Sequence, residues 1–227
     1  MSAVPESRAP NSFRRVGRRA TRKATIIAFF GWLFAAFDFI MFGTLLPQIS
    51  SSFGWDKATA SLVSTIVSVT TAVIALAAGT ITDRIGRRKG MILTVSGTAV
   101  ASALSSVTPT AAYLIGVRSL GGLGLAEQAV NATYLSEIYA VTDDEMIKRR
   151  RGLIYSLVQG AFPLGVLMAS AWVAIFLPLI GWRGCFLLAV FPAVLIALMR
   201  RGLAESPQFE LQLQLRRRED VHNTSVL

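Results

Sequence analysis

The chain has 227 residues, 53% of them hydrophobic, with a mean hydropathy of +0.54 and a formal net charge of +10 at pH 7. That apolar load is too high for a soluble domain of this length. A single cysteine, Cys185, excludes an internal disulfide, and a single histidine, His222, leaves no metal constellation.

Residues 1–23 form a basic tail containing Pro and Ser, expected to be disordered. Six apolar stretches follow, at residues 24–47, 58–82, 90–108, 110–136, 153–179 and 182–199. Each is long enough to cross a ~30 Å hydrocarbon core, which takes about 20 residues. Lipid offers backbone amides no partner, so each stretch must be a helix. The first is too long for a cleavable leader and stays as an anchor. The expected architecture is an all-α membrane protein with a six-helix domain over 24–202 and an amphipathic tail over 203–227. Pro109 and the Gly181-Trp182 pair mark short external links, and Trp172 and Trp182 suit an interfacial belt. Cys185 reads as a small apolar filler in the last span, and His222 as a solvated tail residue. In the tail, Leu211 and Leu215 lie four apart and predict an apolar helical stripe.

Small residues recur at packing spacing: Ala72, Ala75, Ala78 and Gly79 in the second span, Gly121, Gly122 and Gly124 in the fourth, Gly160 and Gly165 in the fifth. Small faces let membrane helices approach closely. Basic residues cluster in the N-terminal tail, after the second span, after the fourth and in the C-terminal tail, which together hold 20 of the 23 Lys and Arg. If six spans alternate, these clusters share one side, so both termini are expected in the cytoplasm of a multi-pass protein of the cell (inner) membrane. Basic clusters spliced between spans do not make a nucleic-acid surface.

Three ionisable residues fall inside spans: Asp38, Arg118 and Glu127. At ~1.5 Å rise per residue, Asp38 and Arg118 both sit about 10 Å below the outer surface. Opposite charges at matched depth form a candidate pair, either a static ion pair or a site where Asp38 titrates while Arg118 holds a carboxylate. Glu127 lies nine residues beyond Arg118, on an opposed or oblique face, and is expected to meet a different neighbour in a structural or proton-relay role.

Between the second and third spans the chain reads Gly79-Thr80-Ile81-Thr82-Asp83-Arg84-Ile85-Gly86-Arg87-Arg88-Lys89. This resembles the signature loop of the major facilitator superfamily, in which Gly79 would allow close helix approach and Gly86 a tight turn. Arg118 followed by Gly121, Gly122 and Gly124 resembles that family's fourth-helix motif. Tyr134 to Glu137 with Arg150-Arg151-Gly152, and Arg200-Arg201 leading to Glu205-Ser206-Pro207, resemble loops of its metabolite:proton symporter branch. The resemblance spans about residues 25–215 and implies half of a major facilitator fold, a 3+3 inverted repeat. It implies secondary active transport, expected to be proton-coupled symport of a small organic acid or related metabolite. Asp38, Arg118 and Glu127 would serve coupling and substrate, while Gly79, Asp83, Arg84, Gly86, Arg87, Arg88, Glu137, Arg151 and Glu205 would form a cytoplasmic gate or simply enforce topology. A sugar porter and a truncated or half-size module needing a second copy or a separate C-terminal half are the alternatives. No enzymatic constellation, cofactor or metal site is expected; the expected partners are the lipid bilayer, the substrate and a proton.

Overall fold

The computed structural model describes residues 15–224, with side chains as far as Leu215. Expectations for residues 1–14, and for the side chain of His222, lie outside the described residues. Among the described residues there are nine helices: α1 Arg18–Phe53, α2 Lys57–Ile85, α3 Arg87–Ser106, α4 Ala111–Ser119, α5 Gly122–Ala140, α6 Glu145–Arg149, α7 Arg151–Gln159, α8 Ala161–Arg201 and α9 Pro207–Thr224. They make six crossings. The first three are α1, α2 and α3, and the fourth is α4 with α5. The fifth is α7 with the start of α8, and the sixth is the rest of α8.

The α8 stretch contains two spans because Gly181 leaves the helical region at φ 66°, ψ 175°. Trp172 Nε1 donates to the Cys185 carbonyl at 3.3 Å. Thirteen residues of straight helix would separate the two by about 20 Å, so the chain reverses at Gly181. Arg18–Phe53, Lys57–Ile85 and the continuous Arg151–Arg201 are each long and apolar enough to cross a membrane by length and composition. The third span is diluted by buried Ser and Thr, and the fourth is interrupted.

That interruption departs from the expected continuous fourth span. Leu120 and Gly121 donate three residues back, to Val117 and Arg118, and Leu123 and Gly124 repeat the pattern at 2.9–3.1 Å. The segment tightens into a 3₁₀-like turn directly after Arg118. Gly122 lets α2 pack closely against this turn, since a Cβ there would strike the backbone of Thr71 in α2.

α1 is the central helix, packed against α8 and α5, with α3 filling the space between α8 and α5. Gly165 explains the closeness of α1 and α8: a Cβ there would lie 2.5 Å from the Leu33 carbonyl and 2.8 Å from the Ala36 methyl. Gly79, expected to do the same for α2, meets nothing within 4 Å. Outward faces carry exposed Leu76, Leu179 and Phe191, which suits lipid.

Several boundaries shift. α1 begins at Arg18, six residues before the expected span, because its first turn is anchored. The hydroxyls of Thr21 and Thr142 bond at 2.7 Å, and Val16 exchanges backbone bonds with Val141 and Asp143 at 3.0 Å. The charged segment 137–152, between the fourth and fifth apolar stretches, is partly helical, since α5 runs on to Ala140 and Asp144 caps α6 through the amides of Met146 and Ile147. Trp182 is not a belt residue: it is buried and donates to the Ser52 hydroxyl at 2.9 Å. In the C-terminal segment, Leu203, Ser206 and Phe209 are buried while Leu215 is exposed, so the anticipated Leu211–Leu215 stripe is not the docked face.

Candidate functional site

Each carboxylate within the spans finds a guanidinium. Arg118, at the end of α4, donates through Nη2 to Asp38 Oδ2 at 2.6 Å. The Ser102 hydroxyl of α3 donates to the other Asp38 oxygen, and Arg118 Nη1 reaches Ser105 at 3.4 Å. Phe186 and Phe42 cover the guanidinium, with ring centroids 4.9 and 5.6 Å from its carbon. Asp38 and Arg118 are almost wholly buried, at 5% and 3% exposure. A charge pair excluded from water this way interacts far more strongly than a surface pair, and each member is costly if the other leaves.

Glu127 meets a different neighbour, as its angular position requires. Its partner is Arg200, near the end of α8, which donates Nη1 to Oε2 at 2.7 Å and Nη2 to Oε1. The Thr94 hydroxyl adds 2.6 Å to Oε2, and Arg200 also donates to the Met91 carbonyl at 2.6 Å. Both Glu127 and Arg200 are completely buried. This corrects the assignment of Arg200 to the C-terminal basic cluster. It enters the bundle because Gly31 leaves the space its guanidinium occupies, and a Cβ there would collide with it.

Hydroxyls of α3 lie between the two pairs. Thr94, Thr98 and Ser102 recur every four residues along α3, all buried, with Ser105 one further turn on. Thr98 lines a cavity of about 10 Å³ that Asp38 and Gly31 also border. That is near the smallest space one water can occupy. Individually these residues looked like ordinary Ser and Thr; only their four-residue period beside two buried carboxylates marks them.

A third cluster closes the basic end. Gly86, at φ 104°, turns the chain from α2 into α3. A Cβ there would stand 2.7 Å from Glu205 Oε2. Glu205 Oε1 accepts the Arg88 amide at 3.0 Å and so caps α3 from a distant segment. Arg88 returns a bond to the Arg201 carbonyl at 2.5 Å. Arg87 pairs with Asp83 and lies 3.4 Å from Glu137, whose other oxygen accepts from the Ser206 hydroxyl. Of the residues expected in this cluster, Asp83, Gly86, Arg87, Arg88, Glu137 and Glu205 are brought together. Arg84 and Arg151 are exposed, and Arg151 instead lines a groove with Tyr139 and Tyr155.

Beside the cluster, Arg18 and Arg22 each place Nε 3.1 Å from Asp144. Burial pushes the Asp144 carboxyl up, but the Ile147 amide, Arg22 and Arg18 together outweigh it and hold the group below the usual carboxylate value.

A family model described as Major Facilitator Superfamily matches residues 28–219. The chain is 29% identical over 207 residues to a probable 4-methylmuconolactone transporter of Cupriavidus pinatubonensis, covering 89% of this chain and 47% of that protein. It is 28% identical over 191 residues to the putative niacin/nicotinamide transporter NiaP of Bacillus subtilis, covering 83% and 46% respectively. Among solved structures, a D-xylose-proton symporter superimposes with a TM-score of 0.68 at 19% identity, covering 90% of this chain and 53% of that one. The chain thus spans about half the length of these relatives.

Proposed function

The chain belongs to the Major Facilitator Superfamily, and from that premise we propose that it serves secondary active transport of a small organic acid or related metabolite, by proton-coupled symport. The buried Asp38–Arg118 pair carries the reading. Asp38 takes up the proton, and its neutralisation leaves Arg118 able to hold the carboxylate of the substrate. One proton carried with one monocarboxylate moves no net charge and is driven by the proton concentration gradient; each further proton would add about 2.3 kcal/mol at a membrane potential of ~100 mV. The relatives named as transporters of 4-methylmuconolactone and niacin/nicotinamide support the substrate class. The basic end faces the cytoplasm of the cell (inner) membrane, in keeping with its excess of Lys and Arg. There the Asp83–Arg87–Glu137–Ser206 and Arg88–Glu205 contacts serve as the inner gate. Glu127, locked by Arg200, takes the structural role.

Asp38→Asn tests the coupling. The variant inserts normally but loses uptake driven by an imposed proton gradient. Normal concentrative uptake by Asp38→Asn would show that the proton is carried elsewhere.

A second reading is favoured by the chain's coverage of about half of its relatives' length. The six-helix unit then works only beside a second copy or a separate C-terminal half. Sizing in mild detergent separates the readings: an active monomer removes the second, and activity confined to a larger species supports it. Buried Cys185 is unsuited to crosslinking for this purpose.

A further inference from the structure

At the basic end, the start of α1 and the end of α8 diverge to leave a groove of about 580 Å³. Arg19, Arg22 and Lys23 line its outer part, and Ile26, Leu198 and Met199 its inner part. Among the described residues, no acidic residue lines it. The order follows the helix: Arg19, Lys23, Ile26 and Phe30 share one face of α1, all exposed, so that face changes from cationic to apolar within three turns. Exposed Leu198, Leu195 and Phe191 continue the apolar wall along α8. Lys23 Nζ is held 3.3 Å from the Gly202 carbonyl, which fixes one cation at the groove mouth. Arg22 is shared with Asp144, so Arg19 and Lys23 are the cations it can commit fully.

We infer that this groove binds one anionic phospholipid, its phosphodiester between Arg19 and Lys23 and an acyl chain along Ile26, Phe30, Leu198 and Leu195. The charge pattern selects the headgroup: a phosphatidylglycerol brings one negative charge, whereas a phosphatidylcholine brings a trimethylammonium toward the same cations. The apolar wall selects a lipid over a free phosphate, which gains nothing from Ile26 or Leu198. The inference rests on the chain lying in a membrane and not on transport, so its failure leaves the transport reading standing.

The test is lipid retention by the purified chain in a neutral detergent, read by native mass spectrometry during titration with phosphatidylglycerol, phosphatidylcholine or inorganic phosphate. Phosphatidylglycerol binds at one per chain and the other two do not compete. Each basic residue near an anionic lipid surface contributes about fivefold, so Arg19→Gln weakens retention about fivefold and Arg19→Gln with Lys23→Gln about 25-fold. Ile26→Asn with Leu198→Asn also weakens it, although both charges remain. Arg149→Gln with Arg150→Gln, exposed cations away from the groove, leaves it unchanged. Equal retention of phosphatidylcholine, competition by inorganic phosphate, or equal losses in the Arg149/Arg150 control would each overturn the assignment.

Discussion

Arg200 and Glu127 meet inside the bundle through two guanidinium–carboxylate bonds, although one stands at the end of the last span and the other midway along the fourth. The contact fastens the end of α8 to α5 and, through the Met91 carbonyl, to α3. It also fixes where the chain leaves for Arg201, Glu205 and Ser206, so the buried pair positions the cluster at the basic end.

Removing one member therefore leaves a buried charge alone. Arg200→Gln and Glu127→Gln are each expected to cost about 3–5 kcal/mol of stability, measured by unfolding in detergent. Arg200→Met with Glu127→Leu is expected to cost less than either single change, because no unpaired charge remains. Additive losses in the double variant would show that the two residues act independently.

Gly31 gives a sharper test of the same contact. Gly31→Ala places a methyl where the Arg200 guanidinium lies, at an expected cost of about 1–3 kcal/mol from overpacking. In an Arg200→Met/Glu127→Leu background the same substitution should be close to neutral. A penalty that persists there would assign the requirement for glycine to the α1 backbone.

Around Asp38 the two serines are not equivalent. Ser102 donates directly to the carboxylate, whereas Ser105 donates to the Ala101 carbonyl at 2.7 Å and accepts from the Arg118 guanidinium at 3.4 Å. Hydrogen bonds to charged groups contribute about 1.5–3 kcal/mol, and the Arg118–Ser105 bond, in which the guanidinium donates, is weakened by its 3.4 Å length. Ser102→Ala should lower the melting temperature clearly more than Ser105→Ala. Equal shifts would count against the Ser102 contact.

The Asp38–Arg118 pairing was legible in the sequence because both charges lie inside apolar runs, where depth follows from residue counting. Gly181 was legible as a turn for a similar reason, since it stands where the hydrophobic pattern stops, and Gly86 through the likeness of its loop to the family's signature. Arg200 was not, because hydropathy ends the sixth span one residue before it and assigns any terminal arginine to water. The missing counter-charge of Glu127 was the available signal. The break after Arg118 escaped notice because Gly121 and Gly122 suit helix packing as well as a 3₁₀ turn. Spacing alone could not distinguish inward Arg87 from outward Arg84 and Arg151, since the choice depends on where Glu137 and α9 arrive from other parts of the chain.

Asp144 makes the anchoring of α1 sensitive to pH. Its carboxyl is held below its unfolded value, so the stabilisation is complete above that value, about 3.9, and fades as pH falls through the lower folded one. Hydrogen-exchange protection of the Val16 and Asp143 amides, taken relative to the intrinsic rate at each pH, should fall below about pH 4 in the native chain. Asp144→Asn should show the reduced protection already at pH 7, with no further loss on acidification.

Glu205 offers two separable contributions at the basic end. Its carboxylate accepts the Arg88 amide, which completes the first turn of α3, and its charge faces the positive end of that helix. Glu205→Gln keeps an acceptor and loses only the charge, for about 0.3–1 kcal/mol. Glu205→Ala loses both and should cost about 0.5–2 kcal/mol. Glu137→Gln differs, because Glu137 is buried against Arg87 and Ser206, and its loss should also slow transport if the cluster gates the inner side. Exposed Arg151 lines a separate groove and makes no ion pair with these groups among the described residues, so Arg151→Gln should leave both stability and transport rate unchanged. Parallel unfolding and uptake measurements on the four variants decide the matter. A transport defect in Arg151→Gln as large as that in Glu137→Gln would place the gate in contacts other than those around Arg87.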